Sequence, residues 1–191
     1  SSTSNMSPEP TTTDFLQGSP LSAVTTTVID PKKILSYSST AKPTTLTGRP
    51  YPYITAGSTP ETSTTFDSKT NRFILGYSIP QDGDKSGFSI SFDNASTSLV
   101  ETQNISLLGS LVFGLQGPNL PLRLEIVDAN GDVDTFKLIN ISVSKEQFWK
   151  IPVSMISDNV DTTRITQINI IADHSDLTTQ ANQGTVYIRS Y

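Results

Sequence analysis

Short runs in which every second residue is apolar fill the chain from about residue 28 onward. Phe73, Leu75, Tyr77 and Ile79 share one phase. Phe88, Ile90 and Phe92 alternate with Ser89, Ser91 and Asp93, and Leu111, Phe113 and Leu115 repeat the device. Leu122, Leu124 and Ile126 stand opposite Arg123 and Glu125. Further runs lie at Trp149, Ile151 and Val153, across 165–171, and at Val186 and Ile188. A period of two is that of a strand with one face buried and the other in water. Phe136 and Leu138 take one phase and Ile139, Ile141 and Val143 the other, so a β-bulge is expected near 138–139. No window has a convincing helical period. Ser144 to Gln147 suits one capped turn at most, and Pro152 stops any continuation.

Nine or more such strands need a second sheet to cover their apolar faces. The expectation is an all-β domain, a two-sheet antiparallel β-sandwich (jelly roll), over residues 28–191. Asn130-Gly131, between runs 122–128 and 133–142, predicts a hairpin because both residue types accept positive φ. Residues 1–27 read differently. Ser, Thr and Pro cluster there, interrupted by Met6, Phe15, Leu16, Leu21 and Val24. So little apolar surface cannot offset the entropy of ordering the segment alone. An extended N-terminal arm or linker is expected.

Composition then removes several classes of function. Ser and Thr number 52 of 191 residues, and 13 Lys+Arg face 18 Asp+Glu for a net charge of -5. Phosphate binding requires a cationic surplus, so nucleic acid is not an expected partner. There is no Cys, hence no disulfide, thiolate metal site or cysteine nucleophile, and a single His excludes chemistry built on several. No apolar run approaches the roughly 20 residues of a membrane-spanning helix. Four Asn-X-Ser sequons, at Asn5, Asn94, Asn104 and Asn140, are candidate glycosylation sites and favour an extracellular or cell-surface setting. The chain opens at Ser1 with no charged-then-apolar segment, and a leader already removed, or a cut from a longer chain, is the expectation.

The order of features is familiar. Asn71-Arg-Phe-Ile-Leu-Gly-Tyr77 leads to Ser86-Gly-Phe-Ser-Ile-Ser-Phe92, then to Leu111-Val-Phe-Gly-Leu-Gln-Gly117 and Leu122-Arg-Leu-Glu-Ile-Val-Asp128. Trp149-Lys-Ile-Pro-Val-Ser154 precedes Ile165-Thr-Gln-Ile-Asn-Ile170 and Gly184-Thr-Val-Tyr-Ile188. Over about residues 45–191 this resembles the galactose-binding-like jelly rolls, especially the carbohydrate-binding modules attached to glycoside hydrolases. The resemblance implies a β-sandwich with a sugar-binding face and a structural role for Trp149. Such modules commonly carry an Asp after the last Tyr-Ile, where it helps hold a structural calcium, and Arg189 stands there in this chain.

Several residue groups carry chemistry worth locating. Asp128, Asn130, Asp132 and Asp134 place oxygen ligands at alternate positions, as calcium loops do, although Val133 stands where such a loop needs Gly. The other reading is an ordinary hairpin tip with solvated carboxylates. Calcium is the one cofactor these residues suggest, and none is required. Asp82-Gly83-Asp84 reads as an acidic turn, or as a cation loop. Asp173-His174-Ser175-Asp176 holds the only His, but no nucleophile elbow accompanies it. No Glu sits in a recognisable hydrolase motif, so an enzyme is not expected. Tyr51, Tyr53 and Tyr77 are the sugar-stacking candidates, with Tyr77 sharing the core phase of Phe73 and Leu75. In the arm, Phe15, Leu16, Leu21 and Val24 are candidate assembly residues that would fill pockets on a neighbouring subunit's sheet edge.

The reading that joins these features is a non-catalytic extracellular structural protein. It would be a self-assembling surface or filament subunit whose arm contacts a neighbouring copy of itself. The alternative is a carbohydrate-binding module that targets polysaccharide.

Overall fold

The computed structural model describes residues 3–9, 49–54, 63–67, 69–70, 72–92, 100, 102–107 and 109–190, with backbone alone at 49–54, 63–66, 88–91 and 190. The strands in chain order are β1 (Ser4–Met6), β2 (Arg49–Ile54), β3 (Ser63–Asp67), β4 (Arg72–Ser78), β5 (Lys85–Ser91) and β6 (Ser110–Gln116), then β7 (Leu122–Asp128), β8 (Val133–Leu138), β9 (Gln147–Pro152), β10 (Ile165–Asp173) and β11 (Gln183–Ser190). They form a six-stranded sheet, β1-β8-β7-β10-β5-β2, and a five-stranded sheet, β3-β4-β11-β6-β9. Every pairing is antiparallel except that of β1 with β8.

The two sheets face each other across one core, and the chain is a β-sandwich of the jelly-roll kind. Inward positions follow the sequence period. Leu122, Leu124 and Ile126 on β7 and Phe136 and Leu138 on β8 meet Phe73, Leu75 and Tyr77 of β4 and Val186 and Ile188 of β11 in a single cluster. Trp149 lies within it, fully buried. β2 is an edge strand, the kind of position in which prolines such as Pro50 and Pro52 need cost the sheet no ladder hydrogen bond. Among the described residues the only helical turns are two 3₁₀ turns, Val153–Met155 and His174–Asp176, and no helix is long and apolar enough to cross a membrane.

Two local expectations need correction. The Asn130-Gly131 hairpin forms, but only Gly131 has positive φ, at 84°. The amide of Asp128 donates to the Asp132 carbonyl and that of Gly131 to the Asp128 carbonyl, closing a three-residue loop with glycine in the left-handed position. The phase change after Leu138 is no bulge either. The chain leaves β8 there, and Asn140 turns it with φ of 67°. The irregular register falls instead between Ile165 and Gln167, where β10 pairs with β7.

The stretch assigned to the arm also contributes to the sandwich. Ser4–Met6 adds to β8 as an edge strand, and the Glu9 amide donates to the Phe148 carbonyl on β9 at 2.6 Å. Phe15, Leu16, Leu21 and Val24 lie outside the described residues.

Candidate functional site

The outward face of the six-stranded sheet gathers polar side chains at its centre. Strand register aligns Tyr51, Ser89, Asn169, Glu125 and Thr135 in one row across five strands. A second row runs Tyr53, Gly87, Ile171, Arg123, Lys137 and Asn5. Tyr51 and Tyr53 thus occupy edge-strand positions in the same rows as the central polar groups. Their side chains lie outside the described residues.

Within the first row the Asn169 amide donates to Glu125 Oε1 at 3.0 Å, and its oxygen accepts from Gln167 Nε2 at 3.2 Å. Carboxylate and two carboxamides form a connected ladder, with Asn169 buried and Glu125 and Gln167 half-buried. This is a fixed array of donors and acceptors set on strands rather than on loops. Such an array suits a ligand whose hydroxyls both donate and accept.

One end of the face is a charge cluster. Arg123 donates twice to Asp176, from Nε to Oδ2 at 2.6 Å and from Nη2 to Oδ1 at 2.9 Å, and Lys137 Nζ lies 3.0 Å from Oδ1. For Asp176, burial is the largest influence and pushes the carboxyl up. The hydrogen bonds and charges of Arg123 and Lys137 together outweigh it and hold the group below its usual value of 3.8. The same Asp176 hydrogen bond raises the Arg123 guanidinium. Asp173 accepts from the backbone and hydroxyl of Ser175, capping the second 3₁₀ turn, and lies 3.9 Å from both Arg123 and Lys85. His174 contacts the Ile79 carbonyl through Nδ1 at 2.7 Å and Asp82 through Nε2 at 3.2 Å, so the turns 81–84 and 174–176 pack together. Their carboxylates are engaged in capping and ion pairing.

The other sequence candidates fall elsewhere. Tyr77 is a core residue, 2% exposed, and its hydroxyl donates to the Ala181 carbonyl at 2.9 Å. A ring so placed has no face to offer a sugar, which corrects its candidacy. Asp128 and Asp134 are buried, and their oxygens accept backbone amides. Asp128 takes those of Asn130, Asp132 and Asp161, and Asp134 those of Thr135 and Ser157. Asn130 is exposed and Asp132 half-buried. Among the described residues no group of three or more His, Asp or Glu is arranged to hold a metal ion. Asn5, Asn104 and Asn140 are exposed, and Asn94 lies outside the described residues. Arg189 pairs with Glu146 at 3.2 Å. A groove of about 690 Å³ beside residues 153–162 has polar Ser157, Asp158 and Asn159 and apolar Val153, Ile156 and Val160 in its lining, and contains no aromatic ring.

Sequence reasoning missed Asn169, Glu125 and Gln167 as a group. Residues 125 and 169 belong to different strands, and only the β7–β10 register makes them neighbours. The available signal was polar interruption of apolar strands: Gln167 and Asn169 are amides among isoleucines.

No protein-family model matches this chain, and no curated protein does. Among solved structures it is similar to the Family 11 carbohydrate-binding module of the cellulosomal cellulase Lic26A-Cel5E of Clostridium thermocellum. The identity is 14%, over 73% of this chain and 84% of that one, with a TM-score of 0.49. It is similar to an exo-beta-agarase at 16% identity, over 73% of this chain and 23% of that one, with a TM-score of 0.47. It is also similar to a Family 30 carbohydrate-binding module at 15% identity, over 62% of this chain and 64% of that one, with a TM-score of 0.44.

Proposed function

We propose that this protein is a non-catalytic, extracellular carbohydrate-binding protein that takes a polysaccharide strand across the outward face of its six-stranded sheet. The observation that carries this reading is the row joining Tyr51 to the Gln167–Asn169–Glu125 ladder. Half-buried Gln167 and Glu125, ordered by the buried Asn169, would satisfy sugar hydroxyls, and Tyr51 at the row's edge, with Tyr53 in the next row, would offer aromatic surface to the apolar faces of pyranose rings. Catalysis is not part of the proposal, because Glu125 is held by Asn169, Asp176 by Arg123 and Lys137, and Asp173 by its cap. An extracellular setting agrees with the exposed sequons at Asn5, Asn104 and Asn140, which would carry glycans. Affinity electrophoresis over a panel of neutral and acidic polysaccharides tests the reading. Retardation on at least one glycan is expected, reduced tenfold or more by the pair Glu125→Ala with Gln167→Ala and by the pair Tyr51→Ala with Tyr53→Ala. Absence of retardation across the panel, with the chain folded by circular dichroism, would overturn it.

A second reading, a self-assembling surface or filament subunit with copies of itself as partners, is favoured by one observation. The first strand is three residues long and is separated from β2 by residues 7–48. Static light scattering against concentration tests it, and mass that stays at one chain throughout would sink it.

A further inference from the structure

Residues 4–9 seal the seam between the two sheets. The Met6 carbonyl accepts from the Ile139 amide at 3.0 Å, just beyond β8 of one sheet, and from the indole of Trp149 on β9 of the other, also at 3.0 Å. Asn140 Nδ2 donates to the Ser7 hydroxyl at 3.3 Å, and the Glu9 amide donates to the Phe148 carbonyl. Met6 packs against the core from this seam. The site that receives β1 is therefore a defined receptor: an open strand edge, an indole N–H and an apolar pocket.

Among the described residues, the strand and hydrogen-bond partners of residues 4–9 all fall within 136–149, whereas residues 7–48 separate β1 from β2 along the chain. Residues 10–48 alone reach roughly 130 Å if extended, several times the width of a sandwich. None of these described hydrogen bonds depends on which chain supplies β1. Exchange of an identical element between copies keeps every one of these hydrogen bonds and adds only the entropy of association.

We infer that β1 is an exchangeable strand: Ser4–Met6 of one copy occupies the β8–β9 seam of a second copy, in the same parallel register it has in its own chain. This rests on the assembly reading and specifies its joint. Reciprocal exchange closes a dimer, and head-to-tail exchange propagates a chain of subunits.

The register supplies the test. Asn5 pairs with Lys137, and the natural chain has no Cys. A full-length chain carrying Asn5→Cys is mixed with one carrying Lys137→Cys, at high concentration and under mild oxidation. A disulfide-linked pair joining residue 5 of one chain to residue 137 of the other, identified by peptide mass mapping, is the expected result. The double variant Asn5→Cys with Lys137→Cys provides the control, because a link in it establishes that the two positions meet. If the double variant links within one chain and the mixture yields no such pair, exchange is overturned. A double variant that fails to link removes the register on which the proposal stands and overturns it too. Light scattering on the same samples separates the two levels. Multimers without the 5–137 link mean that copies assemble through another surface, whereas single chains throughout mean that assembly itself fails.

Discussion

Tyr77 shows how one side chain can belong to a fold rather than to a site. Burial alone pushes its hydroxyl up to about 12 from 10.0. The folded protein therefore prefers the neutral phenol. The contribution is whole below pH 10 and falls as pH rises between the unfolded and folded values, by about 1.4 kcal/mol per unit. Tyr77→Phe should flatten the alkaline limb of a stability-against-pH curve between pH 10 and 12. At neutral pH it should cost about 1 kcal/mol for the lost hydrogen bond to the Ala181 carbonyl. An unchanged alkaline limb by urea denaturation would refute this. Asp176 has the opposite sign. Its carboxyl is held below 3.8, so its contribution is present above that value and is lost as pH falls through and below it. Asp176→Asn should cost about 2 kcal/mol at pH 7, between the limits for exposed and buried ion pairs, and should remove the acid-side loss. A variant that melts with the parent at pH 7 and keeps its acid sensitivity would show the Arg123 and Lys137 contacts to be idle.

At the scale of elements, the carboxylates at the two ends of the 128–134 run act as pins. Asp128 holds its own hairpin tip and the Asp161 amide, and Asp134 holds the Ser157 amide, so both tie the 153–164 segment to the β7–β8 hairpin. With five amides on two carboxylates, added calcium has little to displace them for. Millimolar calcium should leave the melting temperature unchanged, whereas Asp128→Ala should cost about 2–3 kcal/mol by orphaning buried amides. A calcium-dependent rise in melting temperature would reverse that assignment. These pins also mark where sequence reading stops. Alternation located the buried face of β4, β7 and β11 because one side of each strand is more open to water and the other meets the core, whereas β6 is buried on both sides. The alternate oxygens of Asp128, Asn130, Asp132 and Asp134 looked like a ligand set, since spacing along a strand cannot reveal amides arriving from residues 157 and 161. Asn169 and Glu125 were hidden for the same reason, being joined by register alone. Ser4–Met6 carried no strand signal of its own, because three residues in a Ser/Thr-rich stretch show no period and take their conformation from the β8 edge.

At the scale of the whole molecule, the question is what closes a sandwich whose two sheets end on different strands, β8 on one side and β9 on the other. The segment 4–9 spans that opening, and its Met6 carbonyl is the point where both sides are held together. Trp149 is the only tryptophan, it is fully buried, and its indole shares its proton between the carbonyls of Met6 and Ile139. Its fluorescence is therefore a built-in reporter of the closure. Removing residues 1–9 should leave the β-sheet circular dichroism intact, because the remaining strands keep their partners. It should also uncover the Met6 pocket and cost about 2 kcal/mol, from backbone hydrogen bonds and one partly buried side chain. In a chain of this size that corresponds to a fall in melting temperature of roughly 4–8 °C. Tryptophan emission should move to the red as water reaches the seam. A synthetic peptide of residues 1–9, added to the trimmed chain, should reverse both changes in a concentration-dependent way, since binding to the folded state alone raises its stability. Trimming that alters neither melting nor emission would mean that the sheets close without β1. The N-terminal strand would then be an appendage of the sandwich rather than its seal.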